Sequence, residues 1–576
     1  MVTRRPANSA SIPTSDTMGE KGLRESGSVA IAAQFASQVP RVPLLVFVAL
    51  MGLWFMYPLA TDSGPPEALY AITWNMAAIN NNPFEYWITN DGDPTYGKLM
   101  EDVSTFINDP GQQDVPVSSV FTPDMFEELM ASMKEAGWEG LDQVRGRWDA
   151  EYKDRKIITE FIKDPVIGKK RLASMPDRYT NTINTADGKT VMRPAVINCY
   201  EGDLGTTAKW WKAWRSFVFT ESVLVNKRGG GGTEQKAIKD MLSKIKNSKY
   251  PAISLEEEAI SIPLQTVAGA VFDAILVHMM NTLAPGAWQG LREGMCEKLN
   301  RKKLDRTMDI LEGPYATADV QFLQEVAGAF IGKAEGRKLS TQLFDVKFPA
   351  ALDSDRDQNS LILLKKGLWT DVEEVTAEIS APDGCGNGDL FALSATHAAT
   401  KDKYLLASFH GDTNGLLTIP VVTAVHDYAK SSKADHKLLF GMDANTYAEP
   451  DPGKLCYVGD FAQFYVARGL NTCYGPNPNP KNFTTFHART YLQPQLNKAI
   501  RYAEKDVKGD KNPKDFILFD AKDFSVRWTK KDNTGEKKYV EGMVFPTLAF
   551  PSDHGITSTS LAAGGGAQSL KLRGRV

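Results

Sequence analysis

The sequence predicts a layered α/β or α+β domain, interrupted by a mostly helical block and preceded by one membrane-spanning segment. Three observations carry this. Short apolar runs of strand length recur through residues 312–565 with few helical stretches between them, the pattern of a layered sheet domain. Residues 91–311 differ, with apolar positions near helical spacing, and read as an insertion between two strands of one domain. Ahead of both, residues 42–61 form a run of twenty without a charge, enough to span ~30 Å of hydrocarbon as a helix.

The chain has 576 residues, 42% of them apolar, 24% charged and 10% aromatic. That is globular composition with enough apolar mass for a sizeable core, which excludes wholesale disorder and a fibrous repeat. Lys plus Arg total 66 against 70 Asp plus Glu, a formal charge of −4, so the chain is no polybasic coat, although a local basic patch is allowed. Five cysteines, Cys199, Cys296, Cys385, Cys456 and Cys473, lie far apart. With no CxxC pair they define no zinc cluster and no disulfide framework, and in a secretory chain one or two bridges remain open.

Residues 1–41 are rich in Ser, Ala, Thr and Pro and read as a disordered tail. The run that follows, VPLLVFVALMGLWFMYPLAT, carries Trp54, Phe55 and Tyr57 near one end, with Arg41 before it and Asp62 and Glu67 after it. Interfacial aromatics and this charge bias predict a signal anchor with a cytoplasmic N-terminus, leaving everything after about residue 65 luminal or extracellular. The alternatives are secretion or organelle targeting after cleavage. Pro58 spoils a small-x-small cleavage site, and Asp16, Glu20 and Glu25 are unusual for an organelle presequence.

From Ala68, ALYAITWN reads as a buried strand. Helices are expected over residues 121–137, 156–163, 208–219, 234–247 and 264–283, with Gly229–Gly232 as a flexible break. The 264–283 stretch is very apolar, but Asp273 and His278 make it a buried helix rather than a second span. A helical stretch over 291–311 leads into a strand at 319–326. Further strands are expected at 360–364, 390–395, 404–409, 437–442, 515–519 and 543–548, with a helix near 416–431.

Six fragments place a polar residue at the end of an apolar run: Trp74-Asn75, Gln324-Glu325, His410, Asp443-Ala-Asn445, Asp515 and Ser552-Asp553-His554. In a layered sheet, strand ends converge on one edge, so these side chains can share a cleft. Glu325 and Asp553 offer hard oxygen donors, which suit Mg²⁺ or Mn²⁺ better than zinc. His410 and His554 can protonate or stabilise a phosphate, and Asp515 can orient an imidazole. Singly, each fragment reads as a cap, a turn or a polar strand end; order and spacing raise the signal.

That order, WN, QE, a strand-end His, DxN, D-F-I and SDH, resembles the endonuclease/exonuclease/phosphatase (DNase I-like) superfamily over residues 67–90 and 312–565, about half the chain. The resemblance implies an α+β fold, a four-layer α/β/β/α sandwich, with 91–311 as a large insertion and 566–576 as a C-terminal tail. It implies a divalent-metal-dependent phosphoric ester hydrolase using Mg²⁺ or Mn²⁺. Carried over by position, Glu325 resembles the principal metal ligand, Asn75 a contact of the metal site or phosphate, and Asp553 a second metal-site carboxylate. His410 resembles a strand-closing acid toward the leaving group. Asp443 and Asn445 resemble the pair that orients and activates water, and Asp515 and His554 the pair at the phosphate, with Asp443 and His554 jointly the base.

The pattern departs in three places. Met442 stands where the family has Gly, with Gly441 one place earlier. Gly411-Asp-Thr-Asn414 imitates the DxN motif directly after His410; it reads as a Gly/Asn turn, with Asn414 as a substrate contact at most. The insertion puts the substrate class in doubt. Its residues 145–249 hold 22 Lys and Arg against 12 Asp and Glu, and KWWKAWRSF interleaves tryptophans with cations. That is either a nucleic-acid surface or a helix whose Trp210, Trp211 and Trp214 pack inward. In FTTFHART, His487 and Arg489 are candidate phosphate contacts, as are Gln358, Asn359 and Ser360. The expected substrate is a phosphate ester, first a nuclease-type phosphodiester, alternatively a phospholipid or sphingomyelin at the membrane reached through residues 42–61. A non-catalytic binding protein on the same fold is the third reading.

Overall fold

The computed structural model describes residues 68–172, 182–227, 231–353, 357–486 and 510–564, apart from positions 79, 80, 86, 87, 89 and 91. The expected tail, signal anchor and C-terminal tail lie outside these residues. Strand β1 (Ala68–Asn75) precedes the insertion, which holds two small ribbons, β2 (Thr182–Asn184) with β3 (Thr190–Met192), and β4 (Ser222–Asn226) with β5 (Thr233–Ala237). After it come β6 (Val320–Val326), β7 (Phe344–Lys347), β8 (Asn359–Lys365), β9 (Trp369–Glu374), β10 (Leu390–His397) and β11 (Lys403–His410). The last five are β12 (His436–Asp443), β13 (Leu470–Thr472), β14 (Asp515–Asp520), β15 (Phe524–Asp532) and β16 (Ile556–Ala563).

Two six-stranded sheets result, ordered β15-β16-β1-β6-β8-β7 and β13-β14-β12-β11-β10-β9. Strand alternation explains how they stack. In β1, Leu69 and Ala71 enter the core between the sheets, while Ile72 and Trp74 point to the other face. In β8, Ile362 and Leu364 face the partner sheet, and Leu361 and Leu363 face away. The outer face of the first sheet is covered by helices Lys303–Glu312 and Ala329–Glu335 through Met308, Leu311 and Phe330. The outer face of the second is covered by Thr418–Ser431 and Val458–Ala467 through Val421, Val425 and Phe461. The layers therefore run α/β/β/α.

Gly441 is required by this packing. A Cβ there would sit 2.4 Å from the Cβ of Phe322 in the opposite sheet, too close for any other residue without moving a strand. Met442 next to it faces the outer helices, so the shifted glycine serves sheet-to-sheet approach rather than the turn.

β1 and β6 are adjacent and parallel. Parallel neighbours need a crossover, and the insertion is that connection. It has its own core, running from Phe84 to Met295, and the chain returns to the sandwich with helix Lys303–Glu312. At its centre, helix Ser261–Leu283 is long and apolar enough to cross a membrane but is mostly buried inside the protein. Its Asp273, fully buried, accepts from Arg193 Nε at 2.7 Å and Trp214 Nε1 at 2.9 Å. Asp273→Ala would leave Arg193 buried without its counter-charge, and is expected to cost about 3–5 kcal/mol, read from the urea midpoint; a loss under about 1 kcal/mol would mean the pair is not a keystone.

All three tryptophans of KWWKAWRSF lie inward on helix Thr207–Phe219. Trp210 donates to Pro194 O, and Trp211 to Glu128, whose carboxylate also takes half-buried Arg215. They build the core and offer no stacking platform, which removes the aromatic half of the nucleic-acid surface reading.

Two expected elements differ. Residues 234–247 form no α-helix: β5 pairs with β4 across a hairpin that runs through Gly231 and Gly232, and only a short 3-10 turn, Ile238–Met241, follows it. Residues 543–548 are irregular rather than a strand, in a stretch broken by Pro546 and Pro551. In the two large sheets, strands β7, β9, β13, β15 and β16 are not among those expected; β16 is threonine- and serine-rich yet buried on both faces between β1 and β15.

Candidate active site

Strand register brings the motifs together. Within the second sheet, His410 pairs with Asp443 and Asp443 with Asp515, so three strand ends lie side by side. Within the first, Asn75 pairs with Gln324, placing Glu325 one residue beyond. Ser552 Oγ donates to Asn75 O at 2.6 Å and Trp74 Nε1 donates to His554 O at 2.9 Å. These two bonds clamp the SDH loop onto the end of β1. Gln324 stays inside, donating to Ser408 Oγ across the sheets at 3.0 Å. It ties the layers, and Glu325 alone reaches the cleft.

Asp443, completely buried, is the centre. Its Oδ1 accepts from Asn445 N–H at 2.8 Å, and its Oδ2 accepts from Asn75 Nδ2 at 2.9 Å. His554 Nε2 lies 3.7 Å from that oxygen and His410 Nε2 3.8 Å. Asn75 Nδ2 also donates to Glu325 Oε1 at 2.9 Å, while its own oxygen accepts from Ala77 N–H. In this geometry Asn75 spaces two carboxylates and does not aim its oxygen at a metal. Glu325 receives His410 Nε2 at 3.1 Å and Gln358 Nε2 at 3.0 Å.

Behind the cleft, His554 Nδ1 bonds Asp515 at 3.0 Å. Thr484 Oγ1 accepts from the backbone N–H groups of Lys514 and Asp515, pinning the start of β14. His487 and Arg489 of the same loop lie outside the described residues. Asn414 is exposed on the turn before helix Thr418–Ser431, where the Asp412 carboxylate caps Leu417 N–H at 2.7 Å, the plain turn geometry.

Charges at the site follow from these contacts. Burial works against protonation of His554, but the Asp515 and Asp443 carboxylates outweigh it and hold the imidazole up at about 10. Burial raises the Asp515 carboxyl and the imidazole partly offsets it, so the pair keeps one proton through neutral pH. Glu325 also suffers burial, yet His410 and the Asn75 hydrogen bond hold it well below the usual carboxylate range. His410 is raised in turn, burial being overcome by Glu325.

Three residues at the cleft adopt left-handed backbone without being glycine: Ala77 (φ 44°), Glu325 (φ 50°) and Asn445 (φ 46°). Each costs roughly 1–3 kcal/mol, and such strain collects where side-chain placement matters more than stability.

Three site residues had little or no sequence signal. Lys514 Nζ donates to Asn445 Oδ1 at 2.8 Å and pairs with Asp510 at 2.5 Å; its adjacency to Asp515 was the only clue. Gln358 was no more conspicuous than its neighbours. Lys303 opens the helix by which the chain returns from the insertion to the sandwich. A cavity of about 200 Å³ opens beside Glu325 and Asp553, and its other wall is insertion: Asn300, Lys303 and the Cys199–Cys296 disulfide, Cα–Cα 5.5 Å.

The donor set tests the implied metal. Glu325, His410 and Asp443 present ligand atoms close enough to share one ion, as do Asp443, Asp515 and His554. With Asp553 on the cleft wall, oxygen donors predominate, which fits a hard divalent ion.

A domain of unknown function, DUF8234, matches residues 114–293, inside the insertion. No curated protein matches the chain. Among solved structures the chain is similar to D. rerio TDP2 complexed with single-strand DNA product, at 15% identity over 45% of this chain and 91% of that one, TM-score 0.30. It is similar to the human Nocturnin catalytic domain with bound sulfate, at 14% identity over 45% and 86%, TM-score 0.30. An endonuclease/exonuclease/phosphatase family protein from Bacteroides thetaiotaomicron gives 14% identity over 44% and 88%, TM-score 0.30. At such TM-scores these likenesses carry no weight of their own. The resemblance to the endonuclease/exonuclease/phosphatase superfamily rests on the motif order, the two sheets and the cleft.

Proposed function

We propose that the chain is a divalent-metal-dependent phosphoric ester hydrolase, a nuclease-type phosphodiesterase by first choice. The observation that supports it most is the set of contacts around Asp443, where four fragments of the chain, carrying Asn75, His410, His554 and Asp443 with Asn445, meet within 3.8 Å. Glu325 and Asp553 would hold the ion, which when bound supplies a positive charge to the phosphoryl oxygens. Asp443, fixed by Asn75 and Asn445, takes the proton from the attacking water. His554, held protonated by Asp515, covers the charge that builds on phosphorus oxygens and is therefore not the base. His410 sits beside Glu325 as the acid available to the leaving group.

The His554 shift sets a pH dependence. Because the folded value is raised, its contribution to stability is full below the unfolded value of ~6.5 and is lost as pH rises from there through about 10. Activity is expected to fall above about pH 10 for the same reason, and in Asp515→Asn that limb should move down by about a unit or more. A limb that stays in place in Asp515→Asn would remove His554 from the role given.

The deciding assay incubates the full chain in detergent with DNA, RNA, sphingomyelin and inositol phosphates in Mg²⁺ or Mn²⁺, with EDTA and Asp443→Ala controls. Hydrolysis of one class that both controls abolish is the expected result; hydrolysis of none, by folded protein with metal present, would overturn the reading. We also propose that residues 42–61 anchor the chain with the domain outside the cytosol. The buried Cys199–Cys296 bridge supports this, since disulfides persist in oxidising compartments. Protection of the domain from added protease in intact vesicles tests it.

A further inference from the structure

Helix Lys303–Glu312 buries Lys303, Thr307, Met308, Ile310 and Leu311. The first of these occupies a position where an apolar residue would satisfy the fold. A lysine there, only 3% exposed, bears a desolvation cost that packing does not explain. Its surroundings do. Lys303 Nζ donates to the carbonyl of Ala77, the strained residue two positions after Asn75. Lys303 lines the same cavity as Glu325 and Asp553; burial pulls its ammonium down to about 8, and the two carboxylates hold it from falling further. The insertion holds it there. Asn300 Nδ2 donates to Asn81 Oδ1 at 2.6 Å, and Cys296, seven residues before Lys303, is bridged to Cys199.

Four carboxylates surround the cleft. Asp515 is engaged by His554, and Asp443 by Asn75 and Asn445. Glu325, which takes Asn75, His410 and Gln358 from the sandwich, and Asp553 line the cavity that faces the insertion, and carboxylates can bridge a pair of divalent ions ~3.5–4 Å apart. Lys303 brings a cation to that side below about pH 8. We propose that Lys303, at the junction where the insertion returns to the sandwich, is a built-in counter-charge that takes the place of a second divalent ion, so that the cleft holds one metal. This rests on the metal-dependent reading above, and its test reads metal binding without turnover.

The test is a Mn²⁺ titration of the full chain followed by the free-ion paramagnetic resonance signal, on wild type, Lys303→Met, Lys303→Gln and Lys303→Arg, each first checked by thermal melting. Wild type and Lys303→Arg are expected to bind one equivalent. Lys303→Met and Lys303→Gln should bind a second, or hold the first about tenfold more tightly, as the repelling charge is gone. Lys303→Gln keeps a donor for Ala77 O, so it answers the question if Lys303→Met does not fold. Unchanged stoichiometry and affinity in the neutral variants would overturn this inference alone. No Mn²⁺ bound by any of the four would overturn it together with the hydrolase reading. The expected shift in a chain that hydrolyses nothing would uphold the inference and remove the hydrolase reading.

Discussion

Asp443→Asn is expected to lower kcat/KM on the hydrolysed phosphodiester by about 10³-fold or more while the protein stays folded. The substitution keeps the shape of a completely buried side chain and removes its charge. Four groups depend on that charge: Asn75 and Asn445 donate to it, and His410 and His554 lie within 3.8 Å. An amide presents a donor where Asn75 Nδ2 already points, so one of the two must turn away. The base is lost, and so is one of the two carboxylates that keep His554 protonated. Steady-state kinetics in saturating Mg²⁺, beside a thermal melt, reads both effects. Activity within tenfold of wild type would show that Asp443 does not take the proton.

Glu325→Gln carries the second large effect, on the metal. Mn²⁺ affinity is expected to fall by about 100-fold, because a hard ion loses one of two anionic donors on the cavity wall. The same change removes the partner that raises His410, so His410 should titrate nearer the ordinary histidine value. Gln358 and Asn75, which both donate to Glu325, would have to accommodate an amide in place of a carboxylate. A Mn²⁺ titration gives the affinity, and the histidine resonances followed against pH give the second readout. An unchanged Mn²⁺ affinity would move the metal to the Asp443, Asp515 and His554 side of the cleft.

The core strands were legible because each is a local pattern. An apolar run of five to eight residues ending in a polar one, as in KLLFGMD or DFILFD, needs only its own text. β16 was not legible, since ITSTSLAA has no apolar alternation and becomes a strand because β1 and β15 flank it on both sides. The hairpin of β4 and β5 fails for a related reason: EQKAIKDML has helical spacing, and cross-strand pairing with neighbouring β4 overrode it over Thr233–Ala237. The tryptophans of KWWKAWRSF were equally compatible with core and surface until Pro194, Glu128 and Asp273 supplied partners for their indole N–H groups.

The sequence by itself carried the apolar strand runs and the polar residues beside them, Glu325, His410, Asp443, Asn445, Asp515 and His554, as one motif order. Only the tertiary structure decided what they do to one another. It sets Asn75 between two carboxylates, gives His554 its proton through Asp515, and turns Gln324 into the core. It also delivers Lys303 and the Cys199–Cys296 wall from a segment with no motif at all. Hydrogen bonds and charge pairs form between residues hundreds of positions apart, and their strength depends on burial and distance, which no local pattern encodes.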